Sequence, residues 1–166
     1  MKIIFLDIDG VMATSNDYGV SANNKWNAYR FDKKCVGVLN SILEETGADI
    51  ILSSDWRHHY TLQEMKDIFA HNGIIKGPIG FTMRSINYKA DSLEWGRTEE
   101  IQHWLKSHAW KDDCKWVAVD DLDMSIESAE KYKNSAGGLE NFVRCVKESE
   151  GIKQTGIKEK ILKYLV

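Results

Sequence analysis

The chain of 166 residues holds one proline, Pro78, and three cysteines, Cys35, Cys114 and Cys145. There is no low-complexity tract, no internal repeat and no linker-like stretch, which favours one domain over residues 1–166. The cysteines are odd in number, far apart and without a CxxC pair, so they exclude a disulfide framework and read as small buried hydrophobes. No apolar run exceeds five residues, against the roughly 20 needed to cross a bilayer, so no membrane partner is expected. The N-terminus reads as a strand with no signal-peptide layout, which makes a cytoplasmic location the expectation. Five histidines show neither HxxxH nor HExxH spacing, so a histidine metal centre is not indicated. A net charge of −3 argues against tight non-specific binding to nucleic acid but leaves room for a local basic groove.

What is present is an alternation of short apolar runs with longer amphipathic ones. "MKIIFLDIDGV" opens with a fully apolar strand over 2–6, of the kind buried in a parallel sheet. The spacing predicts a helix over 32–46, capped by Asp32 and ended by Gly47, then a second strand over 48–54. A helix follows over 61–71, stopped by Asn72 and Gly73. Periodicity fades over 74–94, read as a short strand at 74–75 and an irregular excursion. Helices are expected over 98–108, with Thr98 as its cap, and over 157–165; further strands are expected over 114–121 and 142–146. The sum is an α/β protein, a Rossmann-like three-layer sandwich with a mostly parallel central sheet.

The polar residues collect where such strands end. The first strand ends in Asp7 and Asp9, the second in Ser53 and Ser54, the third in Asp120 and Asp121. All are carboxyl ends, the side on which open α/β sheets bind ligands. Four carboxylates brought together repel, so they call for a counter-charge. Dispersed oxygen ligands suit Mg²⁺, which takes one or two carboxylates, waters and a substrate phosphate. Alternation along the strand sends Asp7 to the crevice and Ile8 to the opposite face, and Gly10 lets the backbone approach whatever is bound. Ser53 is a suitable donor to a phosphate oxygen. The cation would be Arg97, immediately before the expected helix, with Lys89 as its rival. Trp26, Trp56 and Trp95 fall in expected loops near the site and are candidates for substrate contact; Trp104 and Trp116 read as core. Simpler readings exist for several positions: a turn at Asp9-Gly10, strand-end caps at Ser53 and Ser54, an acidic loop from Asp120 to Asp123.

In order along the chain, "DIDGV", a strand ending in Ser53, a basic residue at a helix start and "VAVDD" resemble the four motifs of the haloacid-dehalogenase-like (HAD) phosphatases. "LSSDWR" and "GRTEEIQHWL" further resemble the HAD domains found in RNA-repair-type proteins. The resemblance implies a Mg²⁺-dependent phosphomonoester hydrolase working through an aspartyl-phosphate. Asp7 would be the nucleophile and Asp9 the general acid and base. Ser53, Ser54 and Arg97 would bind phosphate. Asp7, the backbone carbonyl of Asp9, Asp120 and Asp121 would hold the metal, with the direct ligand of the last two left open. Cap insertions, which vary in such enzymes, would fall in a flap-like loop over 11–31 and in a helix plus irregular insertion over 55–96. Neither is large enough for its own core, so a minimal or absent cap and an open site are expected. The implied partner is a phosphorylated substrate, either a small molecule or a nucleic-acid end, with a nucleotide or nucleic-acid end phosphate as the leading reading. Small-metabolite (sugar phosphate) hydrolysis, phosphotransfer to another acceptor and a phosphate-binding scaffold are the alternatives, and the sequence leaves the oligomeric state open.

Overall fold

The computed structural model describes residues 1–14, 30–84, 92–108 and 113–166. Five parallel strands form one sheet: β1 (Lys2–Leu6), β2 (Asp49–Leu52), β3 (Gly80–Phe81), β4 (Lys115–Asp120) and β5 (Phe142–Arg144), in the spatial order β3-β2-β1-β4-β5. The chain runs from β1 outward to β3, then crosses to the other side of β1 to form β4. That reversal of direction opens a crevice beyond the carboxyl ends of β1 and β4, the place where such sheets hold ligands. The fold is α/β and Rossmann-like, with the central sheet wholly parallel rather than mostly so.

Alternation along the strands divides the core. Ile4, Leu6, Ile50, Leu52, Val117 and Val119 face α1 (Lys33–Thr46), α2 (Leu62–His71) and α5 (Ile157–Leu165). Ile3, Phe5, Ile51 and Ala118 face Ile101 and Trp104 of α3 (Leu93–His108), together with Met124, which precedes the short helix α4 (Ile126–Lys131). Two helix starts follow the expected chemistry. The Asp32 carboxylate accepts from the backbone N–H groups of Lys34 and Cys35, and Thr61 and Glu64 form a reciprocal capping box. Gly47 ends α1 in the left-handed conformation, φ 69°. Met65, Ile68 and Phe69 of α2 enter the main core.

Three expectations are corrected. No strand forms at 74–75: Ile75 is exposed, Ile74 closes the turn after α2, and the edge strand lies instead at Gly80–Phe81, just after Pro78. The third helix starts at Leu93, because the Ser92 hydroxyl accepts from Trp95 N–H at 3.2 Å and the helix runs through Gly96. Thr98 is therefore no cap, and its hydroxyl donates back to the Glu94 carbonyl at 2.7 Å. Trp95 consequently lies in a helix, its indole N–H on Glu99 at 2.8 Å. Trp26, Lys89 and most of the flap over 11–31 lie outside the described residues. Among the described residues no helix is long and apolar enough to cross a membrane.

Candidate active site

The strand register places the residues that follow β1 and β2, and the last residue of β4, in a single row across the sheet. Leu6 pairs with Leu52 and Val119, so the next step aligns Asp7 with Ser53 on one side and Asp120 on the other. The hydrogen bonds Ser53 N–H to Leu6 O (2.9 Å) and Asp7 N–H to Val119 O (3.1 Å) carry the register through that step. Having the parity of Phe5, Ile51 and Ala118, these side chains rise on the α3 face. Arg97, in the second turn of α3, comes down onto them.

Its Nη1 donates to Asp120 Oδ2 at 2.9 Å and lies 3.4 Å from Asp7 Oδ1, while Nη2 lies 3.3 Å from Asp55 Oδ1. Asp7, Asp120 and Arg97 are all buried, so these charges meet in a medium that screens them little. Burial first, then the Asp120 charge, push Asp7 well above the usual carboxylate range, with Arg97 pulling the other way. Burial likewise pushes Asp120 up to about 7 against the same pull. Burial alone would lower the guanidinium, yet Asp120 and Asp7 hold Arg97 above its ordinary value.

Asp121 completes the cluster. One carboxylate oxygen each from Asp7, Asp120 and Asp121 lie within 4.8 Å of one another. Its approach depends on Gly10: a Cβ built there would stand 2.8 Å from Asp121 Cγ and 2.9 Å from its Oδ2. Three hard oxygen donors, two of them buried and sharing one guanidinium, fit a small divalent cation such as Mg²⁺.

Asp9, one residue past Ile8, is exposed at the mouth of the crevice, and its Oδ2 accepts from the Trp56 indole N–H at 2.9 Å. Of the two serines at the end of β2, Ser53 is buried with its hydroxyl unpartnered, whereas Ser54 caps the 3₁₀ turn Asp55–His58. That turn is fastened to α3 by two ion pairs. Asp55 meets Arg97, and Arg57, held on the Ser54 carbonyl at 2.8 Å, meets Glu100 with both side chains buried. Sequence reading places Asp7, Asp9, Ser53, Arg97, Asp120 and Asp121 around this crevice. It misses Asp55, Glu100 and the tie from Trp56 to Asp9.

A family model described as the HAD domain in Swiss Army Knife RNA repair proteins matches residues 3–155. No curated protein matches the chain. No solved structure matches it either.

Proposed function

The chain belongs to the family of HAD domains in Swiss Army Knife RNA repair proteins, which supports a HAD-type phosphatase or hydrolase, and on that premise we propose a Mg²⁺-dependent phosphomonoester hydrolase. The observation that carries the reading is the row Ser53–Asp7–Asp120 under Arg97: a buried carboxylate at a strand end, flanked by a donor and further acids.

Asp7 attacks the phosphorus, and the bond to the leaving oxygen breaks as the aspartyl-phosphate forms. Asp9, exposed at the crevice mouth, gives its proton to that oxygen. It then takes a proton from the water that attacks the same phosphorus, releasing phosphate and restoring Asp7. Ser53 and Arg97 donate to the phosphoryl oxygens, where charge spreads in the transition state. Asp7, Asp120, Asp121 and the Asp9 carbonyl would hold Mg²⁺, which when bound neutralises charge on those oxygens and keeps the nucleophile ionised.

The family's RNA-repair setting favours a phosphorylated nucleic-acid end as substrate. A panel of 3′- and 5′-phosphorylated oligonucleotides, mononucleotides, sugar phosphates and phosphopeptides, assayed with Mg²⁺, tests this. We expect the oligonucleotides to be turned over best and Asp7→Asn to abolish all turnover with the fold intact. Retained activity in Asp7→Asn would overturn the nucleophile, and preference for a sugar phosphate would overturn the substrate class.

A further inference from the structure

Three buried side-chain polar atoms among the described residues have no hydrogen-bonding partner: Ser53 Oγ, Arg57 Nε and Thr82 Oγ1. A buried polar atom left unpaired carries an uncompensated desolvation cost, so natural folds retain few of them. These three converge on one corner of the sheet. Thr82 N–H donates to Leu52 O at 3.1 Å, which extends the pairing of Leu52 with Phe81 by one step and sets Thr82 beside Ser53. A Cβ built on Gly80 would lie 3.5 Å from Ile51 Cδ1, so Gly80 and Ile51 share a face. Alternation then turns Thr82 to the α3 face with Ser53 and Asp7. The row across the sheet thus reads Thr82–Ser53–Asp7–Asp120. Arg57 reaches the end of β2 from above, its Nη1 on the Ser54 carbonyl and its Nη2 on Glu100.

The chemistry of the three atoms selects the ligand. Arg57 Nε–H can only donate, and the two hydroxyls can both donate. The guanidinium of Arg57 disfavours a cation beside it, and a group rich in acceptor oxygens satisfies all three atoms at once. We propose that Thr82 is a substrate-binding residue which, with Ser53 and Arg57 Nε, holds oxygens of the phosphoryl group presented to Asp7. Neighbouring strands stand about 4.8 Å apart. Two hydroxyls at that spacing can each reach a different oxygen of one phosphoryl tetrahedron. The inference rests on the phosphatase reading and adds to it a donor from the edge strand.

Thr82→Val keeps the shape and removes the hydroxyl, and Thr82→Ser keeps the hydroxyl. Melting temperature, calorimetric affinity for inorganic phosphate with Mg²⁺ present, and KM against kcat for a phosphomonoester are measured for each. Thr82→Val is expected to melt at or above the wild-type temperature, because an unpaired buried hydroxyl gives way to a methyl group. Its phosphate Kd and its KM rise about tenfold, as expected for one lost hydrogen bond to a charged group, and kcat falls as well because the same oxygens carry the charge that spreads in the transition state. Thr82→Ser restores both constants. Unchanged Kd and KM in Thr82→Val overturn the proposal, as does a lowered melting temperature with phosphate affinity intact, the mark of a purely structural hydroxyl. A wild-type protein that neither binds phosphate nor hydrolyses phosphomonoesters would instead overturn the phosphatase reading itself.

Discussion

The Trp56 indole N–H donates to Asp9 Oδ2 at 2.9 Å, tying the exposed carboxylate at the crevice mouth to the turn that follows β2. The indole is itself held, with ring centroids 5.8 Å from Phe31 and 5.7 Å from Tyr60. A carboxylate that must deliver a proton to a leaving oxygen gains from a fixed orientation. Trp56 supplies it here through packing on one side of the ring and a hydrogen bond on the other.

Trp56→Phe should keep the packing and release Asp9. General acid catalysis contributes typically 10²–10⁴-fold, so freeing the acid should cost about tenfold in kcat/KM for an alkyl phosphate, whose poor leaving group needs the proton. p-Nitrophenyl phosphate leaves without that help, so its kcat/KM, which ends at formation of the aspartyl-phosphate and omits Asp9's later work on water, should change much less. Equal losses of kcat/KM on both substrates would show that Trp56 acts on something other than Asp9.

The raised Asp7 and Asp120 predict how Mg²⁺ stabilises the protein across pH. A group whose folded pKa lies above its unfolded value contributes stability that is full below the unfolded pKa and lost as pH rises through the folded one. For Asp120, pushed up to about 7, that window runs from the ordinary carboxylate range to neutrality. The metal-free protein should therefore lose stability across it, and Mg²⁺, which needs the ionised carboxylates, should restore it. At a hundredfold excess over Kd, the cation adds about 2.7 kcal/mol, or about 5–10 °C for a chain of this size. Differential scanning fluorimetry should show this gain at pH 8 and little of it at pH 5.5. Asp120→Asn should remove the gain and raise the metal-free melting temperature at pH 8. A gain equal at both pH values would rule out these carboxylates as the binding site.

Much of this frame can be read in the chain. β1, β2 and β4 are buried on both faces, so they appear as unbroken apolar runs, and the acids and serines beyond them mark the crevice edge. Asp32, Gly47 and Thr61 act locally, and so their signals hold. The start of α3 is misread because Gly96 and Thr98 look like a boundary. Ser92 caps the helix six residues earlier, and the tie from Trp95 to Glu99 supports the turn that contains the glycine. β3 is two residues long, too short for any periodicity, and its place is set by pairing with β2. The ion pairs of Asp55 and Arg57 with α3 join residues more than forty positions apart, which no local pattern encodes.

Gly10 allows the crevice to be tested from its backbone. Its φ is +77°, a region costing an L-residue about 1–2 kcal/mol, and the space its Cβ would fill is taken by the Asp121 carboxylate. Gly47 shares the conformation, φ +69°, with nothing within 4 Å of a built Cβ. Gly10→Ala and Gly47→Ala should therefore both lose about 1–2 kcal/mol from the backbone alone. Only Gly10→Ala must also displace Asp121, and with it one of the three oxygen donors. Its Mg²⁺ affinity, measured by calorimetry, should fall by about tenfold or more, while that of Gly47→Ala stays at the wild-type value. If both variants bind Mg²⁺ alike, the close approach of Asp121 to the backbone at Gly10 has no part in holding the cation.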